Sequence, residues 1–116
     1  FLSQINENIK FIPIHADSGS KIPGVGAFID GDYITPFIKK AENNNLWEEP
    51  IKVSSDRALK SMREVQLKDG FFLGKQTGAL VASIEEVTKK YGNEKNILLI
   101  NGDAGWKNTK FIESAI

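Results

Sequence analysis

Apolar residues along this chain fall into short runs separated by glycine-rich polar loops, and their spacing predicts an alternation of strands and helices. The run IKFIPIHA, residues 9–16, has the β-branched and aromatic content of a strand, while Pro13 removes one ladder donor and assigns it an edge or irregular position. Residues 17–26, DSGSKIPGVG, hold three glycines and a proline, which is turn chemistry. A short helix is expected after Pro36, stopping near Asn43, where asparagine side chains compete for backbone hydrogen bonds. PIKVS, residues 50–54, reads as a short strand. Ser54, Ser55 and Asp56 then supply an N-cap and an acidic first turn. Ala58, Met62 and Val65, flanked by Leu59, mark one face of the helix that follows, and Gly70 stands where a left-handed residue ends it.

The pattern then repeats. FFL, residues 71–73, predicts a three-residue strand and residues 74–77 a turn. The next helix runs to about Tyr91, with Leu80, Ile84, Val87 and Tyr91 in one stripe and Gly92 closing it. NILLI, residues 96–100, is a continuous apolar run of the kind found in strands buried on both faces, and NGDAG leads into a last helix from Trp106. Strands and helices alternating at these lengths predict a single α/β domain over residues 1–116: a three-layer, open, mostly parallel sheet with helices on both faces. Ligands of such sheets sit outside the carboxyl ends of the strands. The loops 17–26, 74–77 and 101–105 are therefore expected to converge at one edge.

Composition narrows the function more by exclusion than by assertion. Fifteen basic and fifteen acidic side chains cancel, so no net field favours nucleic acid or an anionic membrane. There is no cysteine and a single histidine, His15, which leaves no disulfide framework and no zinc site of the usual Cys/His type. No apolar stretch approaches the roughly 18 residues of a membrane span, and the cytoplasm is the expected compartment. The opening FLSQIN reads as the end of a helix already under way, so the chain is expected to be a piece of a longer protein.

Several residues invite chemistry. Gly70, Gly74 and Lys75 look like fragments of a phosphate-binding loop, but three residues rather than four separate the glycines and Gln76, not a hydroxyl, follows the lysine. Gly24-Val25-Gly26 lacks the third glycine of the dinucleotide fingerprint, since Ile29 occupies its place. What remains at residues 74–79 is a strand-turn-helix whose turn offers Gln76 and Thr77 beside the free N–H groups of a helix start. Thr77 also reads as an N-cap of that helix, Asp103 as an N-cap of the final one, and His15 as a surface or structural histidine rather than a base. Phe71 and Phe72 read as core, and Trp47 and Trp106 as core or interface.

The order of these segments is more specific than any one of them. Residues 9–29, 51–84, 96–105 and 109–112 resemble, in that order, the C-terminal half of the cysteine synthase and cystathionine β-synthase family, fold-type II enzymes that use pyridoxal 5′-phosphate. In that family a KI.GIG loop follows a strand, here Lys21 to Gly26. A VSDEEA segment starts a helix, here Val53 to Ala58, and an EG(I/L)..G.S(S/A)GA turn corresponds to Asp69 to Ala79. The PDSG loop that ends a strand corresponds to Gly102 to Gly105. The chain departs from the family at Ile14-His15-Ala16, where VEP is usual, and at Gly102, where the loop has proline.

The resemblance implies a use for the turn. The first serine of the family's pair contacts the pyridine nitrogen of the cofactor, and by register that position is Gln76, with Thr77 taking the second serine. It further implies that Gly102 and Asp103 border the cofactor ring and that Gly24, Val25 and Gly26 line the substrate cleft. An amide at position 76, like a hydroxyl, contacts the ring nitrogen without a carboxylate charge beside it. The family's cofactor-bearing lysine, asparagine loop and phosphate cradle all precede the equivalent of Phe1, and neither Lys21 nor Lys75 occupies that lysine's motif. The implied parent, a homodimer, replaces a β-substituent of serine or an activated serine with a sulfur nucleophile to make cysteine or cystathionine. The 116-residue piece needs the remainder of its own chain and is expected to be inert alone, with no catalytic residue of its own. Another fold-type II enzyme, a threonine synthase or a serine/threonine dehydratase, and a non-catalytic α/β binding module are the alternatives.

Overall fold

The computed structural model describes residues 1–28 and 32–113; Ile29, which breaks the dinucleotide pattern, lies outside them. In chain order the elements are α1 (Leu2–Ile5), β1 (Ile14–Ala16), α2 (Pro36–Asn43), β2 (Ile51–Val53), α3 (Ser55–Asp69), α4 (Lys75–Ala82), α5 (Ile84–Tyr91), a 3-10 turn (Gly105–Asn108) and α6 (Thr109–Glu113).

Local capping explains the helices that begin and end where the sequence says they should. Thr35 Oγ1 accepts from the Ile38 amide at 3.3 Å to start α2, with Pro36 at its first position. Ser54 Oγ accepts from the Arg57 amide at 3.3 Å to start α3, which Gly70 ends at φ 74°. Strands β1 and β2 pair in parallel, Ile14 with Ile51, His15 with Lys52 and Ala16 with Val53. Strand β1 begins only at Ile14 because Pro13 cannot donate. The chain before it still follows β2, with the Phe11 and Pro13 carbonyls accepting from the Glu48 and Ile51 amides at 2.8 and 3.0 Å.

The core is built largely from small side chains: Ala16, Ile22, Val53, Ala58, Ala79 and Ala82. Small residues let α3 and α4 approach closely. A Cβ placed on Gly78 would lie 2.2 Å from the Ala58 carbonyl oxygen and 3.0 Å from Met62 Cβ, so glycine sets the separation of these helices. The expected single helix up to Tyr91 is instead two, broken at Ser83. Its buried hydroxyl donates to the Leu80 carbonyl at 2.6 Å and its amide is shared between the Ala79 and Leu80 carbonyls. Arg57 seals the break, donating to the Ala82 carbonyl at 2.9 Å while pairing with Glu86 at 2.7 Å.

The expected three-layer open sheet reduces, among the described residues, to the two strands β1 and β2 in an α/β domain. Residues 71–73 make only a single antiparallel bridge, Leu73 to Ala104, and residues 97–100 pair with nothing described. A strand exists only where a neighbour takes its hydrogen bonds. The NILLI run, expected to be buried on both faces, leaves Leu98 78% and Ile100 75% exposed. Phe71 and Phe72, read as core, are also exposed, and so is Trp106. The last helix begins as the 3-10 turn at Gly105 and turns α-helical only at Thr109.

Candidate functional site

Three glycine-bearing loops meet at the N-terminal end of α4. The N-cap of helix α4 is Gly74, not Thr77 as the sequence suggested, and Gly74 has no side chain with which to cap it. The cap comes from 27 residues away: Asp103 Oδ2 accepts from the Gln76 amide at 3.1 Å, and the Asp103 carbonyl accepts from the Gly74 amide at 3.0 Å. Asp103 thus serves α4 and not the final helix. The fit requires glycine, because a Cβ on Gly74 would fall 2.0 Å from Asp103 Oδ2.

Thr77, one turn into α4, is buried and donates to Asn101 Oδ1 at 2.5 Å, with the Asp103 carbonyl 3.3 Å away. Asn101 also accepts from the Asp103 amide at 3.2 Å, folding residues 101–103 into an Asx turn. Buried Asn108 reaches Asp103 Oδ2 from the 3-10 turn at 3.5 Å. Asn101 and Asn108 went unnoticed in the sequence. For Asn101 the signal was available, since an asparagine two residues before an aspartate at a loop start is an Asx-turn pattern. Gly102 is exposed, with open space where a Cβ would stand.

Gln76 lies between the loops. A Cβ on Gly24 would lie 2.9 Å from Gln76 Oε1, so the side-chain amide packs directly against the Gly24 backbone, which has φ 81°. That amide is half-buried, and among the described residues it makes no hydrogen bond. The structure thereby brings Gly24, Gln76, Thr77 and Asp103 into one constellation. Val25 and Gly26 turn away into an adjoining open cleft of about 440 Å³, lined by Ser20, Ile22, Val25, Gly26, Phe28 and Tyr33. Gln76, Thr77 and Asp103 do not line it.

His15 is the middle residue of β1, paired with Lys52 of β2. Its ring meets that of Phe28 at 4.5 Å between centroids, and Phe28 holds a left-handed φ of 50°. Burial, reinforced by the Lys52 ammonium across the strand pair and opposed by Glu42, lowers the imidazole pKa below 6.5. The described residues offer no grouping of three metal-ligating side chains, and no helix among them is long and apolar enough to cross a membrane.

Several solved structures are similar in fold to this chain. A hydrogen sulfide-producing enzyme from Fusobacterium nucleatum matches with a TM-score of 0.73 and 25% identity over 91% of this chain and 37% of its own. O-acetyl serine sulfhydrylase isoform 3 from Entamoeba histolytica matches with a TM-score of 0.76 and 23% identity over 94% and 33%. An O-acetylserine-dependent cystathionine β-synthase from Helicobacter pylori matches with a TM-score of 0.71 and 20% identity over 90% and 34%. The chain spans about a third of the length of these proteins. No family model matches the sequence. The likeness to cysteine synthase and cystathionine β-synthase enzymes read from the sequence motifs is borne out by these structures.

Proposed function

We propose that the chain forms one wall of the cofactor cleft in a pyridoxal 5′-phosphate enzyme of the cysteine synthase type. In this reading the complete enzyme exchanges the β-substituent of serine or an activated serine for a sulfur nucleophile. The observation that carries it is the half-buried Gln76 amide, without a hydrogen-bonding partner among the described residues, held where the Gly24 loop meets the capped start of α4. A polar group so placed has unused hydrogen-bonding capacity beside a surface of bare backbone, which suits a flat heteroaromatic ligand. The donor set fits the cofactor: Gln76 would face the pyridine nitrogen, and Gly102 and Asp103 would border the ring. Thr77 would act mainly by fixing the Asn101 loop.

The cofactor, when bound, would supply the electron sink for loss of the β-substituent. This chain's own contribution is positional. Gln76 presents a neutral amide, which leaves the ring nitrogen without the negative partner that would favour its protonation. Gly24, Val25 and Gly26 let the amino-acid substrate approach the main chain closely. The lysine that carries the cofactor and the cradle for its phosphate belong, in this reading, to the rest of the enzyme. The exposed apolar run at residues 97–100 supports a chain that is covered by further structure. The similarity to a hydrogen sulfide-producing enzyme and to an O-acetylserine-dependent cystathionine β-synthase supports the sulfur chemistry.

The test uses the complete enzyme. Cofactor affinity is measured by fluorescence titration for Gln76→Ser and Gln76→Leu. Serine should retain binding, and leucine should weaken it about tenfold, the worth of a lost hydrogen bond to a buried polar atom. Three indistinguishable affinities would mean that Gln76 does not touch the ring. Product analysis with cysteine and cystathionine standards then separates β-replacement from the dehydratase and threonine synthase chemistries.

A further inference from the structure

Lys75 is 4% exposed, at the first position of α4. Lysine is seldom buried, and a cation at a helix N-terminus works against the helix dipole, so two unfavourable terms meet in one side chain. Something specific must hold it there. Its Nζ donates to the Lys21 carbonyl at 3.4 Å, across 54 residues of sequence. The same carbonyl accepts from Ser55 Oγ at 3.4 Å, and the Ser55 amide donates to Ser20 Oγ at 3.1 Å. The start of α3 and the start of α4 thus grip the glycine loop at one peptide, between Ser20 and buried Ile22. Immediately beyond lie Pro23 and Gly24, whose backbone abuts Gln76.

We infer that Lys75 is a positioning residue: its buried ammonium fastens the Lys21 carbonyl and so fixes the height of the Pro23–Gly26 backbone over Gln76. The loop is also tied within itself, by the Ser20 amide to the Asp17 carbonyl and the Val25 amide to the Ile22 carbonyl, and at its base to the strands, by the Asp17 amide to the Val53 carbonyl and the Ala16 amide to the Gly26 carbonyl. Those bonds shape the turn and anchor its base, whereas its contacts with α4 are the Gln76 amide packed against Gly24 and the Lys75 ammonium on the Lys21 carbonyl, of which Lys75 makes the hydrogen bond. Its consequence for the reaction rests on the reading given above: a loop lining the substrate cleft should, when loosened, raise KM for the amino acid more than it lowers kcat.

Hydrogen exchange on the complete protein tests the clamp without any cofactor. In Lys75→Met, which keeps the apolar stem and removes the ammonium, the amides of Ala16, Ser20 and Val25 should exchange about tenfold faster while the interior of α3 stays unchanged. Unaltered exchange at these amides overturns the inference. If Lys75→Met does not fold, the wild-type protein and Ser55→Ala decide instead, through the rate of lysine acylation followed by mass spectrometry. Lys75 should react at least about tenfold more slowly than exposed Lys39, and Ser55→Ala should speed its reaction by opening the second half of the grip. Equal rates for Lys75 and Lys39, or no response to Ser55→Ala, overturn it. A loop that loosens while KM for the amino acid does not move leaves the clamp standing and removes the substrate-cleft reading.

Discussion

Asp103 and Gly74 divide between them a task that one residue performs at most helix starts. Gly74 supplies the extended backbone of an N-cap, and Asp103 supplies the oxygen, accepting from the Gln76 amide at 3.1 Å. A helix start bearing a candidate ligand residue is thereby set by a loop far away in sequence.

Removing that oxygen by Asp103→Ala should destabilise the protein by about 1 kcal/mol, the usual worth of a lost N-cap. Gly74→Ser, which would place a capping hydroxyl at the regular position, should destabilise the protein while Asp103 is present, because its Cβ would come within 2.0 Å of the Asp103 carboxylate. Urea unfolding midpoints of the two variants are the measurement, and a Gly74→Ser protein as stable as wild type would contradict the geometry.

Gly24→Ala carries two separable costs. The backbone at φ 81° penalises any side chain by about 1–2 kcal/mol, and the new methyl presses on Gln76 Oε1 at 2.9 Å. Since Gln76 is the movable partner, combining Gly24→Ala with Gln76→Ala should recover the second cost and leave the first. A double-mutant cycle with no coupling would show that the two residues do not touch.

Gly78→Ala should be the most damaging of the glycine substitutions. Its methyl meets the Ala58 carbonyl oxygen, part of the α3 backbone, at 2.2 Å, so two helices must separate to admit it. The expected loss is about 1–3 kcal/mol or more, visible as a lowered Tm. An unchanged Tm would place the α3–α4 crossing elsewhere.

The stability of the fold should depend on the protonation of His15. Its folded pKa is lowered from 6.5 by burial and by Lys52, so the unfolded chain binds more protons as the pH falls through 6.5. Stability is therefore complete above that value, falls as the pH drops toward the folded pKa, and loses nothing further from this group below it. His15→Gln should remove this slope, and the difference between the two proteins isolates it from the carboxylates. Glu86, held below 4.5 by the Arg57 guanidinium, contributes above its own range and loses that contribution only in more acid solution. Unfolding midpoints at several pH values between 8 and 5 that run parallel for the two proteins would assign the slope to other groups.

How much of this was legible in the sequence follows from how local each cause is. Thr35, Ser54 and Gly70 cap helices within three or four residues of themselves, and the helices they bound were readable. The convergence of the glycine loops was readable too, from their place after successive apolar runs. The cap on α4 was not, since Asp103 acts across 27 residues and Gly74 leaves no trace of it. The break at Ser83 was hidden because Leu80, Ile84, Val87 and Tyr91 keep a helical stripe through it. The strands expected at residues 71–73 and 97–100 failed for the opposite reason: their composition is right for a strand, but pairing is a property of two segments and was read from one. Nothing in the sequence pattern announced that Lys75 would be buried.

The exposed, unpaired run at residues 97–100 governs how the isolated chain will behave at high concentration. Ile97, Leu98, Leu99 and Ile100 form a β-prone segment with no charge and no proline, a favourable template for edge-to-edge pairing between copies. Electrostatic repulsion does not oppose that encounter, because the net charge is zero near neutrality and the isoelectric point is about 6.8. Turbidity should accordingly peak near neutral pH and recede on either side. Leu98→Lys, at a position 78% exposed, should suppress the peak by placing a gatekeeping charge within the adhesive strip itself.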